Sequence, residues 1–297
     1  MQIVKNRFIY ISISVIIIIA GIAFSIFNHS KGRGYFNYDI QFTGGTSIEV
    51  NIGKSFENND ITSIVNETTG EGSPQVQKVG DGNSVVIKTK SLSSEARVNF
   101  VNKMVEKYGI TKDDISINDI SATISSEMKK NSFLAVGVSC IAMLIYVSVR
   151  FRDFKTGASA IIALLHDSLI VLACYAVFRI PLNNSFIAAI LTVLGYSINA
   201  TIVIFDRVRE NKRRSASTPN EKLIDTSIMQ SMRRSLFTSL TTFFTITALY
   251  IFGVESVKEF SLPIVVGVIC GTYSSIFIAG SVWYILAEFK KRKHSKA

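Results

Sequence analysis

The residues able to do chemistry in this chain are few, and they sit where polar groups are least welcome. Asp167 is the eleventh residue of the 22-residue apolar run 157–178, so its carboxyl falls near the middle of a segment long enough to cross a bilayer. An ionised Asp at such a depth costs roughly 2.5–3.5 kcal/mol on insertion scales, so it faces a protein interior and serves either ion traffic or a helix–helix hydrogen bond. Its neighbour His166 is expected to point elsewhere, because adjacent positions on a helix diverge by about 100°. A second run, 185–205, holds Gly195, Tyr196, Ser197, Ile198, Asn199 and Ala200 in succession, and Asn199 lies well inside it and needs partners. Asp206 follows two turns on, where an ion pair with Arg207 or Arg209 competes with a functional role. In the run 236–253 and just before it, Ser235, Thr238, Ser239, Thr242 and Thr245 recur at helical spacing, with Arg234 at one end on nearly the same face. Hydroxyls are tolerated in membrane helices because they bond to their own backbone. A stripe of them ending in Arg reads as the lining of an interior or wet path.

Other chemistries lack their residues. A metalloprotease needs the H-E-x-x-H pair, which His29, His166 and His294 do not supply. A serine nucleophile at Ser197 would have only His166 inside the membrane. Cys140, Cys174 and Cys270 all fall in apolar runs, with neither a disulfide framework nor metal spacing. No metal and no cofactor is expected.

These groups are carried by six apolar runs, 8–27, 132–149, 157–178, 185–205, 236–253 and 262–287. Each is near the ~20 residues that span the hydrocarbon as a helix, and only closed backbone hydrogen bonding is viable there. At 48% hydrophobic with positive mean hydropathy, the chain is too apolar for a soluble protein of this length. The net charge of +10 invites a nucleic-acid reading, but its location argues otherwise. Residues 28–130 hold 12 Lys and Arg against 13 Asp and Glu, and the excess lies beside the runs: at Lys5 and Arg7, at Arg150, Arg152 and Lys155, in the loop 207–234, and in the tail 290–297. The basic flanks alternate from side to side, the positive-inside pattern. Both termini and the loop 207–234 are therefore expected in the cytoplasm, with residues 28–131 outside and no nucleic-acid partner. The first run, residues 1–27 with its basic start, is longer than a signal-peptide core and is read as an uncleaved helix. In the last run Gly267, Gly271, Ser275 and Ala279 repeat every four residues, a ridge that permits close helix packing.

The polar segment 28–131 alternates strand and helix signals. A strand over 47–53, a helix over 59–69 stopping at Gly70, and strands at 75–79 and 85–89 joined by Asp81-Gly82-Asn83 come first. A helix over 94–108 follows, with Ser93 as N-cap, Gly109 past its end and an apolar face of Val101, Met104, Val105 and Tyr108; a strand over 114–120 closes the order. The order βαββαβ predicts a split-βαβ, ferredoxin-like α+β domain. Gly44-Gly45 reads as a tight turn or bulge entering the first strand. With no His or Cys from residue 38 to 121, this domain is expected to bind or move rather than to catalyse.

Several segments, in order along nearly the whole chain, resemble the SecF family of the bacterial Sec protein-export machinery, within the resistance-nodulation-division superfamily. They are YDIQFTGGTSIEV at 38–50, ALLHDSLIV at 163–171, GYSINATIVIFDRVREN at 195–211, MRRSLFTSLTT at 232–242 and the stretch 252–279. The resemblance marks Asp39, Phe42, Gly44, Gly45 and Gly195 as motif residues, and Asp167, Asn199, Arg234 and Asp206 as ion-coupling candidates. It implies six transmembrane helices, 132–289 carrying the last five, forming half of a twelve-helix unit completed by SecD. Its implied partners are the SecYEG channel, SecA, a YidC-type insertase and the translocating polypeptide, with the transmembrane ion gradient driving late steps of export. The alternative is half of a small-molecule or lipid exporter of the same superfamily, which would need a larger porter domain. Family members commonly carry Asp directly after the Asn of GYSxN. Here that residue is Ala200.

Overall fold

The computed structural model describes residues 2–70, 74–79, 82–215 and 217–294. In chain order the elements are α1 (Arg7–Ser30), α2 (Ile40–Thr43), β1 (Gly45–Asn51), α3 (Asn58–Thr69), β2 (Gln75–Val79), β3 (Ser84–Thr89), α4 (Ser94–Tyr108) and β4 (Ile115–Ile120). Then come α5 (Ala122–Phe151), α6 (Phe154–Phe178), α7 (Asn184–Arg214), α8 (Asn220–Phe252) and α9 (Glu255–Tyr273). A π-helical segment, Ser274–Ala279, leads directly into α10 (Gly280–His294). Two compact units result, one of Met1–Asn37, Leu134–Ile180 and Ser185–Ala297, the other of Tyr38–Phe133 with Pro181–Asn184.

In the helical unit, six helices among the described residues are long and apolar enough to cross a membrane, the last running from Ser256 to Phe289. They extend past the apolar runs, most of all α5 and α8 at their N-terminal ends. Hydropathy marks only the stretch in hydrocarbon, whereas the i to i−4 ladder continues wherever the backbone allows it. Small residues bring helices together. A Cβ on Gly21 of α1 would lie 2.3 Å from Ala173 Cβ of α6, and Asn28 Nδ2 donates to Ala176 O at 3.2 Å on the same seam. Large side chains such as Ile16, Phe133, Val149, Phe237 and Phe252 stay exposed, as surfaces made for an apolar medium do.

The second unit holds one antiparallel sheet in the order β2-β3-β1-β4. Ile48 of the central strand pairs with Ile87 on one side and Ile117 on the other. Its core joins Ile48, Val50, Val85 and Ile87 to Ile61, Ile64 and Val65 of α3 and to Phe100 and Met104 of α4. Val101, Val105 and Tyr108 pack at the margin of that core, so the buried face of α4 is centred nearer Phe100 than its apolar spacing predicts. Gly70 and Gly109 end α3 and α4 in left-handed conformations, and the Ser93 side chain caps α4 by accepting from Ala96 N. Of the β2–β3 turn, Gly82 has φ +82°, while Asp81 lies outside the described residues.

The Gly44-Gly45 entry differs from a simple turn. Asp39 caps a single helical turn, α2, by accepting from Gln41 N at 3.1 Å. Gly44 leaves it at φ +76° and Gly45 enters β1 at φ +145°, where a Cβ would meet Thr89 O at 2.3 Å. Asp39 is buried and ion-paired to Lys88 of β3, and Phe42 is buried beside it in sequence. Asp39 and Gly45 thus tie the chain to the ends of the central strands β1 and β3, a role that for Asp39 rests on a partner 49 residues away in sequence.

Candidate functional site

The site grows out of one helix–helix seam. Along α7, Val193, Ser197 and Thr201 are fully buried at four-residue spacing, and the small-residue ridge of the last span fits against them. A Cβ on Gly267 would lie 2.3 Å from Val193 Cγ2, a Cβ on Gly271 would lie 3.0 Å from Ser197 Cβ, and Ser275 Oγ sits 2.9 Å from Thr201 Oγ1. Two rows of i, i+4 residues therefore interlock with backbones in close approach.

Asp167 of α6 reaches into this seam and is fully buried. Its Oδ2 accepts from Ser197 Oγ at 2.6 Å and from Ser274 Oγ at 2.8 Å, while its Oδ1 lies 2.9 Å from His166 Nδ1. The last contact corrects the expectation that neighbouring helical residues stay apart. The 100° separation applies to the Cα–Cβ directions, and an imidazole is long enough to swing back over the next carboxyl. The His166 ring lies against Tyr273 at 6.2 Å between centroids and 24° between planes, and Tyr273 in turn donates its hydroxyl to Tyr10 O at 2.9 Å. His166 Nε2 is buried and has no hydrogen-bond partner.

Sequence reasoning found Asp167 and missed His166 and Ser274. The four-residue ridge pointed to Ser275, one position off. The π-helical Ser274–Ala279 widens the turn, so that Ser274 and Ser275 both face inward, one to Asp167 and the other to Thr201. Such bulges recur at functional sites for this reason.

The remaining candidates lie elsewhere. Asn199, Ala200 and Arg234 line a cavity of about 50 Å³ with Tyr196, Val203, Ser235, Thr238 and Ser239, between α7 and α8. That is room for a few waters. Asn199 and Arg234 are both exposed in this chain, and beyond Gly195 on the same helix a Cβ would meet open space. Of the hydroxyl stripe, Ser235 and Ser239 are buried with no partner for their Oγ. Thr238 and Thr245 are exposed and Thr242 is half-buried, and they bond back to the carbonyls of residues 234, 241 and 238 respectively. The ion-coupling candidates Asp167 and Arg234 thus belong to two separate polar sites on the two sides of α7.

Asp206 is ion-paired, but not with its sequence neighbours. Its Oδ1 lies 3.5 Å from Arg150 Nη2 of α5, both side chains about half exposed. Arg207 is taken by Glu210 at i+3 and by Gln230 of α8, and Arg209 donates to Arg150 O. Helical geometry favours the i, i+3 partner over the adjacent one.

A bundle of six candidate membrane helices with a buried, fully bonded carboxyl defines a multi-pass membrane protein with a polar site in its interior. The family described as "Protein export membrane protein SecD/SecF, C-terminal" matches residues 100–289. A protein translocase subunit SecF of Sebaldella termitidis is 34% identical over 98% of this chain and 93% of its own length. Another, of Acidaminococcus fermentans, is 35% identical over 98% and 99%. The crystal structure of SecDF from Thermus, a translocon-associated membrane protein, superposes with a TM-score of 0.84 at 30% identity, covering 98% of this chain. This chain spans only 39% of that SecDF chain. The chain belongs to the SecD/SecF family of protein-export membrane proteins.

Proposed function

We propose that this protein is an accessory subunit of the Sec export machinery, one that pairs with a SecD-type partner and uses the transmembrane ion gradient to promote late steps of translocation across the bacterial cytoplasmic membrane. The observation that carries the coupling role is Asp167, a fully buried carboxyl held by donors from α6, α7 and the π-helical segment. A titratable group is not retained at such depth without an interior to serve. Asn199 and Arg234 form the second polar site, which the partner completes. Two findings support this: the face is open in the isolated chain, and the matched SecDF chain is far longer than this one. The SecYEG channel, SecA, a YidC-type insertase and the translocating polypeptide follow from the same assignment. Asp206, tied to Arg150, is an interfacial clamp rather than an ion carrier.

The 38–133 unit is the extracytoplasmic module. Its strand order and all-antiparallel pairing support a ferredoxin-like split-βαβ, and the alternating basic flanks support its external side. An exporter of small molecules is the weaker reading, because nothing in this unit resembles a large porter domain.

Two measurements test the assignment. With Cys140, Cys174 and Cys270 replaced by Ala, an impermeant thiol reagent should label Gly82→Cys in intact cells and leave Ser215→Cys untouched. Labelling at residue 215 sinks the topology. Purification in mild detergent should bring down a SecD-type protein, and recovery of a solute-export system instead would favour the alternative.

A further inference from the structure

We propose that the seam between α1 and α6 holds one anionic phospholipid, its acyl chain in an apolar crevice and its phosphate among Lys31, Arg33 and Arg179. The two helices run parallel here, with Gly21 against Ala173 and Asn28 donating to Ala176 O. Between them lies a crevice of about 280 Å³, walled by Gly21 and Ile22 of α1 and Leu169 and Ala173 of α6, with Tyr35 and Phe36 completing the lining. That is near the lower end of the cavities that hold small molecules. Ser25, which also lines it, spends its hydroxyl on Tyr35 O at 3.0 Å. A water there would find few polar partners, so an apolar chain is the fitting occupant.

The stretch after α1 is pinned beside this crevice. Gly32 at φ +74° and Gly34 at φ +73° turn the chain, conformations that cost glycine little. Arg179, itself at φ +54°, donates through Nη1 to Gly34 O at 3.2 Å and through Nη2 to Arg33 O at 2.7 Å. Its own carbonyl accepts from Asn37 Nδ2 at 3.0 Å. His29 stacks on Tyr35 with 4.0 Å between ring centroids. The end of α6 and the stretch 29–37 are thereby one built surface.

The charges gathered on it lack a counter-charge. The first acidic residue of the chain is Asp39, already paired with Lys88, and residues 168–205 contain none. Among the described residues no carboxylate is ion-paired with Lys31, Arg33 or Arg179. Burial and, next, the charge of Arg33 hold Arg179 below the ordinary guanidinium range. Like charges kept together repel, and an anion among them turns the repulsion into attraction. Nor does topology account for them. The basic flanks Lys5, Arg7, Arg152 and Lys155 belong to the opposite end of α1 and α6, whereas these three cations lie where the charge rule calls for few. A phosphate matches the guanidinium fork, and exposed Ile22 and Ile26 leave the crevice open to the surrounding apolar medium. A free phosphate would satisfy the cations and leave the crevice unfilled; a lipid satisfies both. The site needs only the α1–α6 seam and no ion coupling at Asp167.

The test moves the single tryptophan of the chain to the site. Trp283→Phe with Tyr35→Trp keeps an aromatic ring against His29 and makes residue 35 the only indole. The full-length chain is placed in phosphatidylcholine vesicles holding a minor fraction of phosphatidylglycerol, with bromine on the acyl chains of one lipid or of an equal fraction of the other. Quenching should show an apparent affinity for phosphatidylglycerol about fivefold or more above that for phosphatidylcholine, the attraction expected of even one cation near a membrane surface. Equal affinities overturn the proposal. Adding Lys31→Gln and Arg33→Gln should bring the two lipids to parity, and a preference that survives both also overturns it. Inorganic phosphate at constant ionic strength should leave the quenching in place; relief would make a free anion the occupant and remove the lipid. Mass spectrometry of the unaltered chain released from mild detergent repeats the comparison without substitutions. One phosphatidylglycerol should stay with each chain while phosphatidylcholine is lost, and equal retention of the two overturns the assignment.

Discussion

Ser197 and Thr201, on one side of α7, are fully buried and hydrogen-bonded to Asp167 and Ser275, whereas exposed Asn199 and half-buried Ala200, on the side toward α8, border a small cavity with Arg234. At the first site each oxygen of the carboxyl is satisfied within this chain, while His166 Nε2 is left without a partner. The second carries an exposed guanidinium, an exposed amide and two buried serine hydroxyls, Ser235 and Ser239, without partners. A buried polar group left unpaired costs about 1–3 kcal/mol, so the second site is the less satisfied of the two within this chain. The two sides of α7 thus differ in how fully this chain alone satisfies them.

The largest effect should come from breaking the seam that closes the first site. Gly267→Leu drives a side chain into Val193, whose Cγ2 already lies 2.3 Å from where a Cβ would stand. Overpacking of this kind costs about 1–3 kcal/mol, and the amount of protein in the membrane should fall steeply on immunoblots. Unchanged abundance would mean that α7 and α9 have room to part. Next comes Asp167→Asn, which keeps the shape and an oxygen to accept from Ser197 and Ser274 but removes the titratable group. Export of a secreted reporter should drop about tenfold or more while abundance holds, and wild-type export would reduce Asp167 to a structural hydrogen bond.

The open site should respond by degrees. Arg234→Met should remove most export activity at normal abundance, because an exposed residue supports little of the fold. Arg234→Lys keeps the charge but loses the planar, multidentate donor, so an intermediate export rate is expected; equal loss in both would show that shape rather than charge is what the partner reads. The smallest effect belongs to Ala200→Asp. Beside Asn199 and Arg234 the new carboxylate has a cation and room for water, so abundance and export should stay near wild type. Degradation of this variant would mean that position 200 faces lipid, and the contrast between the two sides of α7 would be lost.

The two sites were not equally legible. Asp167 announces itself as a carboxyl in an apolar run, and the Gly267, Gly271, Ser275 repeat announces close packing. Neither says that the two belong together, nor that Ser274 rather than Ser275 meets the carboxylate, since that depends on a π-helical widening with no local signature. The link between Asp39 and Lys88 was equally hidden, because strand register decides which side chains meet across a sheet.

What the sequence determined by itself was what short-range physics controls. Apolar runs of bilayer length become helices because no other backbone arrangement is satisfied there. Alternation and turn residues set the strands of the 38–133 unit, and glycines set its helix ends. What tertiary structure alone decided was which faces of those helices become interior. Asp167 and Arg234 look like members of one path when read along the chain, yet α7 stands between their surroundings, with Ser197 turned to one and Asn199 to the other. Sequence spacing gives each residue its angle about its own helix. Only packing between helices, through small residues at 267 and 271 and a carboxyl at 167, says what that angle points at.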